Sequence, residues 1–312
     1  MIVYTTIPNL CKIMLMALFS KKTTLVHHIT YMGIMTAINL IFIVLATFVP
    51  FLMLFLILLL PFASTIVSYY CQKRYYIIYA AASIGLCLIF SITDTIFYIV
   101  PAVITGFILG LLLEKKAHPF WLVLSSSIIE AGLTFAFIPL INLIGNTDIV
   151  YAFLSIFKLT NFVYQTELVY LFVYFISLLQ CILTNFVLLN DAKKIGININ
   201  NNVNSYSLII IGLELSIALS FTFGLFFAPL AFVFLEIAIY FALFLIIDLL
   251  LSKKPIVYIV LSLLLISSFI GFILLYKTVA APTWLLLINL FPLAIGITSF
   301  TKNCLLKYES NI

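Results

Sequence analysis

Glu130 stands eleven residues after Pro119 in a run otherwise almost free of charge, with Ser126, Ser127 and Thr134 at i−4, i−3 and i+4. On a helix these four residues share one face. A carboxyl group among hydroxyls can anchor a cation or a donor-rich solute, or can take up and release a proton. A second polar stripe, Tyr170, Tyr174, Ser177, Cys181 and Thr184, advances in steps of three and four. Its outer half is expected to line a pocket with Thr134 and Asn142. The candidate substrate-binding set is therefore Glu130, Thr134, Asn142, Tyr174 and Ser177. Glu214 and Glu236 are the other two acids deep in long apolar runs, and with Glu130 they form the candidate proton sites. Each acid costs about 2.5–3.5 kcal/mol at the centre of an isolated inserted helix. The competing role for each is structural, a protonated acid hydrogen-bonded to a neighbouring helix.

The elements that carry these residues are helices in a bilayer. The 312 residues are 65% hydrophobic and 8% charged, too few charges to clothe a water-soluble surface. Ten apolar blocks follow one another, roughly 29–49, 51–71, 75–92, 95–113, 119–144, 168–190, 206–227, 229–251, 255–276 and 280–301. Most are near the roughly 20 residues that cross a hydrocarbon core of about 30 Å. They lack the period-two alternation of membrane strands. The expected fold class is all-α, a polytopic bundle of about ten transmembrane helices. Pro50 and Pro229 each divide a long apolar run and are expected at tight outer turns.

Lysines set the orientation. Thirteen of the fifteen Lys/Arg residues fall in alternate gaps, and only Lys158 and Lys277 occupy the opposite ones. The positive-inside rule then places both termini in the cytoplasm. The expected location is the inner membrane of a bacterial cell. Glu130, about 16 Å beyond Pro119, lies near the midplane; Glu214 and Glu236 lie about 10 Å from opposite faces. Asp94 and Asp248, near helix ends, are expected to reach headgroups or water.

The net charge of +5 comes from lysines scattered at helix ends, not from a basic patch, so no nucleic-acid partner is expected. Cys11, Cys71, Cys87, Cys181 and Cys304 form no metal or redox spacing and read as small apolar side chains. His27, His28 and His118 sit beside lysines, and neither metal nor cofactor is expected. There is no P-loop, HExxH or GxSxG, so no enzymatic activity is expected.

Four segments organise the chain. Residues 1–22 are a cytoplasmic N-terminal segment in which Leu10–Phe19 is apolar but too short to span, suggesting an interfacial helix; Met14 and Met16 are alternative starts. Residues 23–190 form a six-span core, and 191–205, rich in asparagine, a cytoplasmic linker. Residues 206–312 form four further spans and a short tail. In the outer loop 145–167, Ile149, Phe153, Ile156 and Phe157 share a helical face, which suggests an interfacial helix.

Small residues provide a third kind of candidate. Gly33-x-x-x-Ala37 and Gly106-x-x-x-Gly110 place pairs of small side chains on one helix face, where another helix can approach closely. Around them runs a recognisable order: Thr30-Tyr-Met-Gly-Ile-Met-Thr-Ala37, a Val49-Pro50 turn, a Pro61-containing second span ending in a basic pair, and Val103-Ile-Thr-Gly-Phe-Ile-Leu-Gly110 running into Glu114-Lys-Lys116. This resembles the substrate-binding membrane subunits, or S components, of energy-coupling factor transporters. Over residues 23–305 the chain more closely resembles the YybS-like membrane proteins of Gram-positive bacteria, grouped with them. The linker Asn190-Asp-Ala-Lys-Lys-Ile-Gly-Ile-Asn198 fits that likeness.

The resemblance implies a six-helix S-component-like core with a four-span extension. It implies that Gly33 and Ala37 meet a coupling subunit of an ATPase module, and that a solute binds in the outer half of the core near Thr134, Asn142 and Tyr174. The expected partners are the lipid bilayer, an energy-coupling ATPase module or another membrane protein, and a small-molecule ligand. Two other functions fit the residues: a ligand-free membrane scaffold or regulatory subunit, and a proton-coupled secondary transporter using Glu130, Glu214 and Glu236.

Overall fold

The computed structural model describes residues 21–48, 50–145, 148–156, 164–191, 206–250, 255–275 and 283–309. Most of the N-terminal segment and of the 191–205 linker lies outside the described residues, as do Lys158, Lys277 and the side chains of Ile149, Phe153, Ile156 and Phe157.

Helices follow the ten apolar blocks in order, and no strand occurs among the described residues. They are α1 (Leu25–Phe48), α2 (Pro50–Tyr70), α3 (Lys73–Leu88), α4 (Ile92–Glu114), α5 (Pro119–Gly145), the short α6 (Ile149–Ile156), α7 (Gln165–Asp191), α8 (Tyr206–Phe226), α9 (Ala228–Leu250) and α10 (Pro255–Leu275). The last, α11, is a 3-10 turn Thr283–Asn289 continuing as Leu290–Glu309. Eight helices among the described residues are long and apolar enough to cross a membrane. The protein is a multi-pass integral membrane protein of all-α fold. Helix α3, with 16 residues, extends about 24 Å, less than a full hydrocarbon core. Pro50 and Pro229 do open helices, where a missing N–H costs nothing.

Two compact units form. The first comprises residues 1–149 and 176–202, the second 150–175 and 203–312, so α7 contributes to both.

In the first unit α2 and α4 pack through small residues. A Cβ at Gly106 would meet Pro61 O at 2.8 Å and Thr65 N at 2.9 Å, and one at Gly110 would meet Thr65 O at 2.9 Å. Lipid offers helices little hydrophobic reason to associate, so close backbone approach and hydrogen bonds must hold them. Ser68 Oγ accordingly donates to Phe107 O at 2.9 Å, and Tyr76 Oη to Val103 O at 2.6 Å. Asn39 Nδ2 donates to Tyr79 Oη at 2.8 Å, Tyr79 Oη meets Ser64 Oγ at 3.0 Å, and Thr36 meets Ser83 at 3.2 Å, joining α1, α2 and α3. Helix α4 carries a π turn at Thr95–Ile99 immediately before Pro101. Proline lacks the amide that would continue the ladder, which accounts for the local widening.

The second unit is built around α8, α9 and α11. Ser220 Oγ donates to Ala231 O at 3.0 Å and accepts from Asn289 Nδ2 at 2.9 Å, while Phe223 stacks on Phe234. Among the described residues, helix α10 buries only Val257 and Leu261 and exposes Ile259, Leu263, Ile266, Phe269 and Ile273, a surface suited to lipid.

Candidate functional site

Helix α5 starts from a cap that the sequence dictates locally. His118 Nδ1 accepts the Phe120 N–H at 3.2 Å, and Pro119 fills the first helical position. From this start Glu130 is carried about 16 Å along α5. Cys181 lies ten residues before the end of α7, about 15 Å in. The two depths match, and Cys181 Sγ donates to Glu130 Oε2 at 3.3 Å. Glu130 is 4% exposed and Cys181 fully buried. Ser126 lies within hydrogen-bond reach of the same thiol.

The hydroxyl protons around Glu130 are spent on their own helix. Ser126 Oγ donates to Leu122 O at 2.5 Å, Ser127 Oγ to Leu124 O at 3.0 Å, and Thr134 Oγ1 to Glu130 O at 3.0 Å. Such back-bonding leaves the hydroxyl oxygens as acceptors. The face around Glu130 is thus rich in acceptors and poor in donors.

The other expected residues divide. Ser177 is buried in the first unit on the helix that bears Cys181. Tyr174 is fully buried, but in the second unit. Asn142 is half-buried on α5, about 18 Å along the axis from Glu130, too far for both to hold one small solute. Glu214 has its side chain exposed on α8, between buried Leu213 and Ser216. Glu236, on α9, buries Oε2 with no hydrogen-bond partner among the described residues. Gly33 and Ala37 are exposed on α1, and a Cβ at Gly33 would meet nothing within 4 Å among the described residues. Gly106 and Gly110, by contrast, are internal packing positions.

Sequence reading placed Asp248 at headgroups or water. It pairs with Lys302 Nζ at 2.6 Å with its own side chain still 22% exposed, and Lys302 is 8% exposed. The lysine stem reaches back from the last helix, a contact that spacing along the chain cannot reveal. Gln180 and Asn185, both buried beside Cys181 on α7, were also missed. They stand at i+3 and i+8 from Ser177, a signal present in the spacing. Asn185 Nδ2 donates to Cys181 O at 2.9 Å.

Among the described residues, no three His, Cys, Asp or Glu side chains gather as a metal site. No protein-family model, curated protein or solved structure matches the chain.

Proposed function

We propose that this membrane protein is a non-enzymatic, solute-binding or transport-related subunit, with Glu130 as the anchor for a small cationic or donor-rich molecule. The observation that carries this reading is the buried acceptor-rich face: a carboxyl group whose described partner is one weak thiol donor, beside hydroxyls whose protons are committed to backbone. A group of this kind has acceptor capacity that a ligand's N–H or ammonium can use. Thr134 and Ser177 are its nearest candidate supports by helix position. The resemblance to energy-coupling factor S components and YybS-like proteins fits the same reading, with an ATPase module as partner and the bacterial inner membrane, both termini cytoplasmic, as its setting.

The test is purification from native membranes in mild detergent, with mass spectrometry of co-purifying proteins and small molecules, repeated with Glu130→Gln. Recovery of an ATPase pair with its coupling subunit, and of a solute lost in the variant, supports the reading. A solute retained unchanged by folded Glu130→Gln overturns the assignment of Glu130.

A second reading, a scaffold or regulatory subunit, draws on the exposed Gly33–Ala37 face of α1. Under it, Gly33→Leu releases a partner while Glu130→Gln changes nothing.

A further inference from the structure

We propose that the cleft between Lys21–Lys22, the α2–α3 turn and the end of α4 is a binding site for a phosphate group. This inference is independent of the role given to Glu130. The cleft has a volume of about 340 Å³ and is lined by Lys21, Lys22, Tyr70–Arg74 and Glu114. Its four cationic side chains face one carboxylate, leaving three positive charges in excess. Sequence reading used these charges for topology and for the family resemblance, not as one site, because they are three separate short runs. The fold gathers them: Lys22 N–H donates to Tyr70 O at 3.0 Å, fixing the segment before α1 against the end of α2.

The cationic groups are held in place. The Lys22 ammonium lies 4.5 Å from the Tyr31 ring centroid, and the Arg74 guanidinium 4.7 Å from that of Tyr75. Partial burial lowers the Lys22 pKa, with the Cys71 side chain opposing the shift. Arg74 Nε donates to Gln72 Oε1 at 2.8 Å, leaving the two amino groups of its fork, the geometry that suits phosphate oxygens.

The backbone adds to this charge. Gln72 is the N-cap of α3, yet its side chain makes no cap hydrogen bond, since Oε1 is turned to Arg74. Tyr75 N–H turns back to Gln72 O at 2.9 Å, and the start of this 16-residue helix, at Lys73 and Arg74, lies beside the guanidinium, where the helix dipole favours an anion.

Glu114 is the built-in competitor. It bridges Lys21 at 2.9 Å and Lys73 at 3.0 Å, with all three side chains more than a third exposed. Exposed pairs of this kind hold weakly, so a phosphate group can displace the carboxylate. The cleft lies at helix ends, where lipid headgroups begin, so the phosphate can belong to an anionic lipid or to a soluble molecule.

The full chain in nonionic detergent is titrated with dioleoylphosphatidylglycerol in one arm and with inorganic pyrophosphate in the other. Bound species are counted by native mass spectrometry. Saturable binding is expected in at least one arm, weakened about tenfold by Lys73→Gln with Arg74→Gln and tightened by Glu114→Gln. The charge-matched pair Lys253→Gln with Lys254→Gln should leave it unchanged. Binding confined to the lipid arm assigns a headgroup; binding of pyrophosphate assigns the phosphate group of a soluble ligand. No saturable binding in either arm overturns the site, as does equal weakening by the control pair, or weakening by Glu114→Gln. Should the double variant fail to fold, Arg74→Gln and Glu114→Gln, with opposite expected signs, decide the matter.

Discussion

Cys181 and Glu130, 51 residues apart in sequence, meet at 3.3 Å inside the first compact unit, thiol to carboxyl oxygen. A thiol is a weak donor, so this hydrogen bond satisfies the acid only in part. Two variants separate ligand anchoring from packing. Glu130→Gln keeps shape and hydrogen-bonding capacity but removes the acid. Affinity for a cationic solute should then fall about tenfold or more, with the unfolding midpoint close to that of the parent. Cys181→Ala removes the buried donor and should cost about 1–3 kcal/mol of stability. Equilibrium binding and thermal unfolding in one detergent check both. A large loss of stability in Glu130→Gln without any change in binding would mean the acid serves packing alone.

Gly33 and Gly106 should respond oppositely to added bulk, although their sequence motifs look alike. Gly33→Ala or Gly33→Leu adds atoms where no described residue lies within 4 Å of the new Cβ and should leave the unfolding midpoint nearly unchanged. Any loss would appear in co-purification with a partner. Gly106→Ala drives a methyl group into Pro61 O and Thr65 N of α2, backbone atoms that cannot turn aside. About 1–3 kcal/mol of destabilisation is expected. A stability scan of the three variants tests the contrast; equal effects at both positions would show that α1 is covered in the folded protein.

His118 gives the first unit a defined response to acid. Its Nδ1 accepts a helix amide, a role open only to the neutral ring. Burial lowers its pKa below the usual 6.5. In the interval between the folded and unfolded values the unfolded chain binds more protons, so stability rises with pH there. The contribution is complete above about pH 6.5 and is lost as pH falls through the depressed folded value. A protonated imidazole would also oppose the positive end of the α5 dipole. His118→Asn keeps a capping acceptor without a titrating ring. Unfolding midpoints measured between neutral and mildly acidic pH should fall more steeply for the parent than for this variant; parallel curves would rule the cap out as their origin.

Lys116 occupies the left-handed region at φ 54°. Ala117 N–H reaches Leu112 O and Lys116 N–H reaches Leu113 O, both at 3.0 Å, the paired bonds of a Schellman stop, where glycine is usual. Lys116→Gly should relieve strain and stabilise by about 0.5–1 kcal/mol. A lower unfolding midpoint would show that the lysine side chain contributes more than its backbone costs.

The helices were legible because bilayer physics writes them into the sequence. A continuous apolar run of the right length has one spanning solution, and Pro50 and Pro229 mark where runs divide. The polar face of Glu130 was legible for the same reason: Ser126, Ser127 and Thr134 repeat at helical spacing. Which helix would face it was only half legible. Cys181 stood in the correct stripe but read as apolar, since nothing local distinguishes a packed thiol from a donating one. Gln180 and Asn185 belonged to the same face and were passed over. The basic cleft was illegible, because Lys22, Arg74 and Glu114 come from three segments that only tertiary folding unites. The exposure of Glu214 was hidden too, since α8 is apolar on every side and its sequence does not say which face turns outward.

The Asp248–Lys302 pair tests whether a partly buried ion pair holds the second unit together. Lys302 Nζ contacts both Asp248 Oδ2 at 2.6 Å and Asp248 O at 3.1 Å, fixing the last helix against the end of α9. Removing Lys302 leaves a partly exposed Asp248 carboxylate that keeps the Tyr206 hydroxyl as a partner, an expected cost of about 1–3 kcal/mol for Lys302→Met. Removing both charges, with Asp248→Leu added, abolishes that penalty, and apolar replacements of a buried pair are often tolerated. The double variant should therefore be more stable than Lys302→Met alone. Thermal unfolding of the parent, both single variants and the double closes the cycle. Additive losses would mean that the two charges are solvated independently, and that α11 is held to α9 by its apolar contacts.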